Sequence, residues 1–443
     1  MVENKKMRLA IIASATGTLL EWYDLYLAII LAKVLSNQLF PSGNDTYFLE
    51  TLAIVGSSFF IRPLGSLFFG SMGDRQGRKK SFLLSLLLMG GATFLIGLIP
   101  TFKQIGWFAP ILLLMFRLIQ GFALSGEYSG AIIYVSENAP KEKRGFYTGF
   151  IQATVPIGLL LCLSVVITVQ SMMSVDDFNQ WGWRIPFLSS SILVIFSYFI
   201  RKKMAETPVF EQLRISNTLS KSPVKDSLGD RQTWKKIVAI IFGGNAAQST
   251  IMQTAQFVTL YFLQRAMKIE EHTSLIILAV ALLLGAPFFQ LTAKWSDQYG
   301  RRKIIYMGLW LGAISIPISF YFFHLLGNPE QSTTLHSIPL STLLLFIFLT
   351  FINTLASALV YGPMGVYVME FFEGRTRYTS MGFTHNVGNG VLGGATPLIT
   401  EFLKTHLLVG ATLAPFIGLV YPMILIVIAL IVSPMMKDGV EKD

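Results

Sequence analysis

Apolar stretches of about twenty residues, the length of a membrane-spanning helix, recur along this chain between polar or Gly/Pro-rich breaks. They read as twelve helices, at roughly 9–35, 50–72, 81–100, 108–136, 145–170, 184–201, 236–264, 273–296, 303–324, 339–369, 377–404 and 410–435. A closed β-barrel is the other architecture that satisfies every backbone group in lipid. It needs segments of about ten residues with strict alternation. Runs such as Leu83 to Leu88 and Ile424 to Val432 do not alternate, so helices are expected. Composition agrees, because 53% of the 443 residues are hydrophobic and only 14% are charged. A soluble chain carries about 25% charged residues. A soluble enzyme, a nucleic-acid-binding domain and a disordered protein are thereby excluded.

The N-terminus sets Lys5, Lys6 and Arg8 before an apolar stretch, with Ala13-Ser14-Ala15 resembling a cleavage site. Only about five apolar residues precede that site, too few for a signal-peptide core, so the segment reads as an uncleaved first spanning helix. The lone Cys162 rules out an internal disulfide and a cysteine-ligated metal cluster.

The net charge of +10 suggests nucleic acid only if it is scattered. Placing both termini on one side of the membrane puts 27 of the 35 Lys and Arg there, in the N-terminus, Arg75–Lys80, Lys141–Arg144, Arg201–Lys236, Lys294–Lys303, Arg375–Arg377 and the C-terminus. By the positive-inside rule that side is cytoplasmic. The longest such loop separates an N-terminal six-helix bundle, 1–201, from a C-terminal one, 236–443, with 202–235 as a cytoplasmic linker. The expected fold is an all-α membrane protein of two pseudo-symmetric six-helix bundles with both termini cytoplasmic.

The halves repeat. Gly73-Asp74-Arg75-Gln76-Gly77-Arg78-Lys79-Lys80 follows the second span, and Ser296-Asp297-Gln298-Tyr299-Gly300-Arg301-Arg302-Lys303 follows the eighth. A second register relates Glu137, Arg144, Gly149 and Phe150 to Glu370, Arg377, Gly382 and Phe383. Duplicated halves imply a secondary transporter with its substrate site near the membrane midplane.

The loop Gly73 to Lys79 resembles the signature loop of the major facilitator superfamily. Further segments resemble its metabolite:proton symporter family, the relatives of proline/betaine, citrate, ketoglutarate and shikimate importers. These are Glu21-Trp22-Tyr23-Asp24, Arg62-Pro63-Leu64-Gly65, Arg117 to Phe122 with Gly126-Glu127-Tyr128, Trp181 to Phe187, Glu206 to Phe210 and Arg377-Tyr378-Thr379. The resemblance implies inward proton symport of a small polar metabolite such as an amino acid, betaine or carboxylate. Within transport the alternative is an exporter of drugs or siderophores; outside it, a transporter-like sensor. The family's osmolyte importers carry a long C-terminal coiled coil. Here only Met436 to Asp443 follows the last span, which favours nutrient uptake over osmosensing.

An ionisable side chain in hydrocarbon is disfavoured by about 2.5–3.5 kcal/mol on insertion scales and so points to function. Glu21 and Asp24 share one face of the first helix, three residues apart. Arg117, Gln120, Glu127 and Tyr128 fall in one sector of the fourth helix. Arg117 and Glu127 are about 15 Å apart along the axis, too far to pair with each other. Asp24 is the expected partner of Arg117. Making and breaking such a pair loads and releases a proton. The resemblance adds that the helix 1 and helix 4 charges are implicated in coupling. Which of Asp24, Glu21 and Glu127 carries the proton stays open, as does a static network that only fixes packing.

Candidate substrate contacts are Arg62, Trp22, Tyr23, Gln120 and Tyr128 in the first half, and Asn245, Gln248, Gln256, Tyr361, His385, Asn386 and Asn389 in the second. Arg62 either binds a carboxylate or pairs locally. The aromatic residues can pack over an ammonium. His385 reads as a packed histidine before a proton carrier. The second-half residues are uncharged and suit a polar solute; they equally suit hydrogen bonds between helices.

The signature loops read as gates. Gly70, Gly73 and Gly77 allow tight turns and close approach, and Asp74 can accept backbone N–H bonds at a helix N-terminus. Arg75, Arg78, Glu137, Arg144, Asp297, Gly300, Arg301, Glu370 and Arg377 complete the set. The family pattern places the Asp74 contact at helix 11 with Arg78 and Arg144 nearby, and Asp297 would mirror it at helix 5. No phosphate-cradling loop, soluble nucleotide-binding domain, metal-ligand spacing or Ser-His-Asp set appears in the sequence. No cofactor, metal or nucleic acid is expected; the partners are substrate, protons and membrane lipid, for a monomer in the cell (inner) membrane.

Overall fold

The computed structural model describes residues 2–41, 46–327, 333–335, 337–407 and 416–436. Among these no strand occurs, only an isolated bridge between Ile269 and Thr333. The long helical segments are α1 (Val2–Ile30), α2 (Thr46–Gln76), α3 (Arg78–Ile96), α4 (Phe108–Asn138), α5 (Lys141–Ser171) and α6 (Arg184–Lys202). They continue with α7 (231–266), α8 (Glu271–Tyr299), α9 (Arg301–Leu326), α10 (Leu340–Glu370), α11 (377–406) and α12 (Ile417–Met435). The first residues expected in the last span, 410–415, and the tail after Met436 lie outside the described residues.

Nine of these helices are long and apolar enough to cross a membrane, among the described residues. The others, α1, α7 and α11, interrupt their apolar character with the polar residues singled out above. Glu21 and Asp24 lie in α1; Asn245, Gln248 and Gln256 in α7; His385, Asn386 and Asn389 in α11. Two of them also depart from regular α geometry. Ile241–Asn245, Thr254–Val258 and Phe262–Ala266 in α7 are π-turns, as is Asn386–Gly393 in α11. Such turns are rare and concentrate at functional sites.

Gly77 and Gly300 end α2 and α8 with φ of 112° and 94°. L side chains rarely adopt that region, whereas glycine does so readily. A Cβ on Gly77 would also collide with the Glu206 carboxylate. The two glycines are equivalent in the repeat, so both halves reverse direction by the same device.

Packing divides the chain into two compact units that are not continuous in sequence. The first comprises Met1–Lys141, Ile157–Arg231 and Phe372–Asn386; the second comprises Glu142–Pro156, Gln232–Phe371 and Val387–Asp443. Compared with the chain-order division at 202–235, the start of α5 packs with the second half and the start of α11 with the first. Small residues permit both exchanges. A Cβ on Gly70 would meet the Thr379 backbone, and one on Gly145 the Ala293 carbonyl. The first unit is held by an apolar cluster of Leu20, Phe69, Leu86, Met89, Ala123 and Leu124, from four different helices. Large apolar side chains on the outer faces, among them Ile192, Phe199, Leu283, Trp310 and Ile431, are exposed. A soluble monomer does not show so many; a lipid-facing surface does.

Candidate functional site

Within the first unit, α1, α3 and α4 bring four polar side chains together. Arg117 Nη1 donates to Asp24 Oδ2 at 3.0 Å and to Gln120 Oε1 at 2.8 Å. Gln120 Nε2 donates to Asp24 Oδ1 at 2.7 Å and to the Thr93 hydroxyl at 2.8 Å. All four residues are buried. Asp24 is thus the partner of Arg117, as the sequence suggests. Gln120, nominated for substrate, instead uses its amide oxygen and nitrogen to brace the ion pair. Removing one member of such a buried pair leaves an uncompensated charge.

Glu127 has a partner that the sequence did not offer. Both terminal guanidinium nitrogens of Arg201 donate to its carboxylate, and Ser85 donates to it at 3.2 Å. Arg201 also donates to the carbonyls of Ala13 and Phe82 and lies 3.5 Å over the Phe82 ring. Arg201, which the sequence offers only as the start of a basic run, is fully buried at the end of α6. Its neighbours Lys202 and Lys203 hide the signal, because a basic run at a span end ordinarily marks topology. Gly17 makes the pair possible, since a Cβ there would overlap both the Arg201 and Glu127 side chains.

Glu21 lies one helical turn from Gly17 on the same face of α1. It is buried, and one of its carboxylate oxygens has no hydrogen-bond partner. Arg62, Glu127 and Asp24 all act on it electrostatically. Arg62 stacks over Phe59 at 4.3 Å and also influences His385. The His385 ring stacks on Tyr128 with centroids 4.2 Å apart. His385 belongs to the exchanged start of α11, so this contact joins two candidates far apart in sequence. Asn386 follows it and donates to the carbonyls of Ser125 and Gly382. Tyr23 is not gathered into this cluster; its hydroxyl donates to the Pro186 carbonyl at 2.7 Å. Trp22 packs near Tyr26, with centroids 6.0 Å apart.

In the second unit the nominated residues Asn245, Gln248, Gln256, Tyr361 and Asn389 are all buried. Tyr361 meets Phe289 edge to face, and its carbonyl accepts from Gln152. None of them lines the apolar hollow of about 980 Å³ walled by Pro317, Tyr321, Phe416 and Met423.

The signature loops form one bonded set in each unit. In the first, Asp74 accepts from the backbone N–H of Tyr378 at 3.2 Å and of Thr379 at 2.9 Å, from the Thr379 hydroxyl, and from Arg78 at 2.7 Å. Arg78 also reaches the Gly374 carbonyl at 2.6 Å and Glu137 at 3.6 Å, and Glu137 pairs with Arg377 at 3.0 Å. Tyr378 donates to the Gly126 carbonyl. A Cβ on Gly73 would strike the Tyr378 ring. In the second unit Asp297 accepts from the N–H of Gly145 at 2.8 Å and Phe146 at 2.7 Å, and from Arg301 at 2.5 Å. Arg301 continues to Glu370 at 3.1 Å, and Arg144 lies 3.9 Å from Glu370. Arg144 therefore joins the Asp297 set and not, as expected, the Asp74 set. The repeat explains the correction, because Arg144 is the counterpart of Arg377 and each completes the set of the other half. Arg75 is exposed, outside both sets.

Glu206, between the spans, was missed as a member of the first set. Its carboxylate accepts from the N–H of Arg78 and Thr207, each at 3.0 Å. Burial pushes its carboxyl above the usual range, although these N–H groups and Arg78 pull it down.

Paired basic loops, each with one aspartate, repeated in register and set on an all-helical fold, match a known sequence profile. The Major Facilitator Superfamily profile covers residues 15–397. The chain belongs to this superfamily. It is an integral membrane transporter and not an enzyme. This major facilitator protein is 33% identical over 412 residues to the shikimate transporter of Escherichia coli (strain K12), covering 90% of this chain and 89% of the relative. It is 31% identical over 454 residues to the proline/betaine transporter of Salmonella typhimurium, covering 100% and 86%. Its fold resembles that of the proton:xylose symporter XylE with a TM-score of 0.74 at 15% identity, covering 98% of this chain and 96% of that one.

Proposed function

We propose that this transporter imports a small polar metabolite (an amino acid, betaine or carboxylate) together with protons across the bacterial inner membrane. The relatives named for shikimate and for proline/betaine, and one named an inner membrane metabolite transport protein, support that range. The observation that carries the coupling is the buried Asp24–Arg117 pair braced by Gln120. A protonated Asp24 is neutral and no longer holds Arg117. Its proton must leave before the pair re-forms. That cycle links a proton to a change of structure without a cofactor.

Twelve spans with cytoplasmic termini, and six-helix halves at 1–201 and 236–443, complete the reading. The Asp74 and Asp297 sets act as latches that open and re-form as access to the site alternates. The protein works as a monomer in lipid. Arg62, Tyr128 and His385 offer a cation and stacked rings to the substrate, and the uncharged residues of α7, α10 and α11 offer hydrogen bonds.

Purified protein in liposomes with an imposed pH gradient tests this reading. Radiolabelled proline, glycine betaine and shikimate serve as probes. Proton-driven accumulation of at least one of them is expected. Outward movement only, or binding without accumulation, would overturn import.

A further inference from the structure

The second repeat register, which relates Glu137 to Glu370, also relates Arg117 to Thr350, Gln120 to Asn353 and Tyr128 to Tyr361. The position corresponding to the charged brace of the first unit is thus uncharged in the second. It is also unsatisfied. Both polar atoms of Asn353, both of Gln248, and the Ser357 hydroxyl are buried without a hydrogen-bond partner. None of the three residues exposes more than 1% of its surface. An unpaired buried amide or hydroxyl is disfavoured by about 1–3 kcal/mol per group, so several on facing helices need a common explanation.

They do lie on facing stripes. Asn353 and Ser357 are one turn apart on α10, and Met364 continues the same stripe two turns on. Met364 meets Gly244 of α7, and Gln248 stands one turn beyond Gly244 on that face. In the twelve-span topology proposed above, the two helices run antiparallel. Gln248 is about 6 Å beyond the Gly244–Met364 contact and Asn353 about 16 Å beyond it, at 1.5 Å per residue. The unsatisfied groups therefore form a line about 10 Å long. They include donors (the two amide nitrogens) and acceptors (the two amide oxygens).

We propose that this line is a subsite for the hydroxyl groups of the substrate, which makes the transported solute a small carboxylate bearing several hydroxyls and not a quaternary ammonium. A hydroxyl both donates and accepts, so it can satisfy amide oxygen and nitrogen together. A betaine has no N–H or O–H and would leave every acceptor in the line unpaired. A site built to bond hydroxyls discriminates strongly against the analogue that lacks them. The inference rests on the transport reading above and narrows its substrate class.

The test is equilibrium binding to the purified full-length protein, with no proton gradient. Shikimate is compared with its deoxygenated analogue cyclohexene-1-carboxylate, quinate with cyclohexanecarboxylate, and both pairs with glycine betaine. At least one hydroxylated acid should bind ten-fold or more tightly than its deoxygenated partner. Asn353→Leu and Gln248→Leu should reduce that ratio towards one. The same variants should melt no lower than wild type without ligand, because an apolar side chain relieves an unpaired amide; Ser357→Ala is a milder third variant. Tight binding of glycine betaine, equal binding of both members of each pair, or no binding of any hydroxylated probe would overturn the proposal. So would an unchanged ratio in the variants, the result expected if ordered water alone fills the line. Proton-driven accumulation is measured separately. Betaine uptake would refute this inference and leave the transport reading standing; hydroxylated acids that bind but do not accumulate would do the reverse.

Discussion

Arg201 shows how strongly a single side chain can be redirected by its surroundings. It stands beside two lysines at the end of α6, yet it is buried against Glu127, two backbone carbonyls and the Phe82 ring. Such a pair is expensive to break from one side. Glu127→Gln should destabilise the protein by about 3–5 kcal/mol, because it leaves the guanidinium buried without its carboxylate. Replacing both residues by apolar ones of similar size should recover most of that loss. Unfolding in detergent measures both, and a Glu127→Gln variant as stable as wild type would contradict the assignment. The Asp24–Arg117 pair was legible in sequence, since two opposite charges on apolar helices have few other partners. Arg201 was not, because a basic run at a helix end already has an explanation in topology. Gly17 and Thr93 carry no sequence signal of their own, and Glu206 appears only within a segment of family resemblance; their roles come from what packs against them.

At the scale of elements, the nine helices long and apolar enough to span, among the described residues, could be drawn from the apolar runs and their Gly, Pro and charged breaks. The exchange of the starts of α5 and α11 could not, because it depends on glycines allowing backbone contact between segments far apart in sequence. The family resemblance implied that Asp74 meets the start of α11, and the repeat extended this to Asp297 at the start of α5; the hydrogen bonds are found at both places. The repeat also held the reason why Arg144 serves Glu370, although that follows only once Arg377 is seen beside Glu137. Each aspartate should protect only its own amides. Asp74→Asn should speed hydrogen exchange at Tyr378 and Thr379 ten-fold or more, about 1.4 kcal/mol, and leave Gly145 and Phe146 unchanged. Asp297→Asn should do the opposite. Exchange that rises equally at both places, or at neither, would show that the two sets are not independent latches.

For the whole molecule, few charges enter the spans, and those that do are concentrated in the first unit. There they form the Asp24–Arg117 and Glu127–Arg201 pairs, with Glu21 acted on by Arg62, Glu127 and Asp24. The second unit presents uncharged buried amides instead. We read that asymmetry as a division between proton coupling and solute recognition. The measurement that tests it most directly is transport by Asp24→Asn in liposomes, assayed both as proton-driven accumulation and as exchange of labelled for unlabelled substrate. The account predicts that accumulation falls to equilibration while exchange persists. Accumulation at the wild-type level in this variant would contradict it.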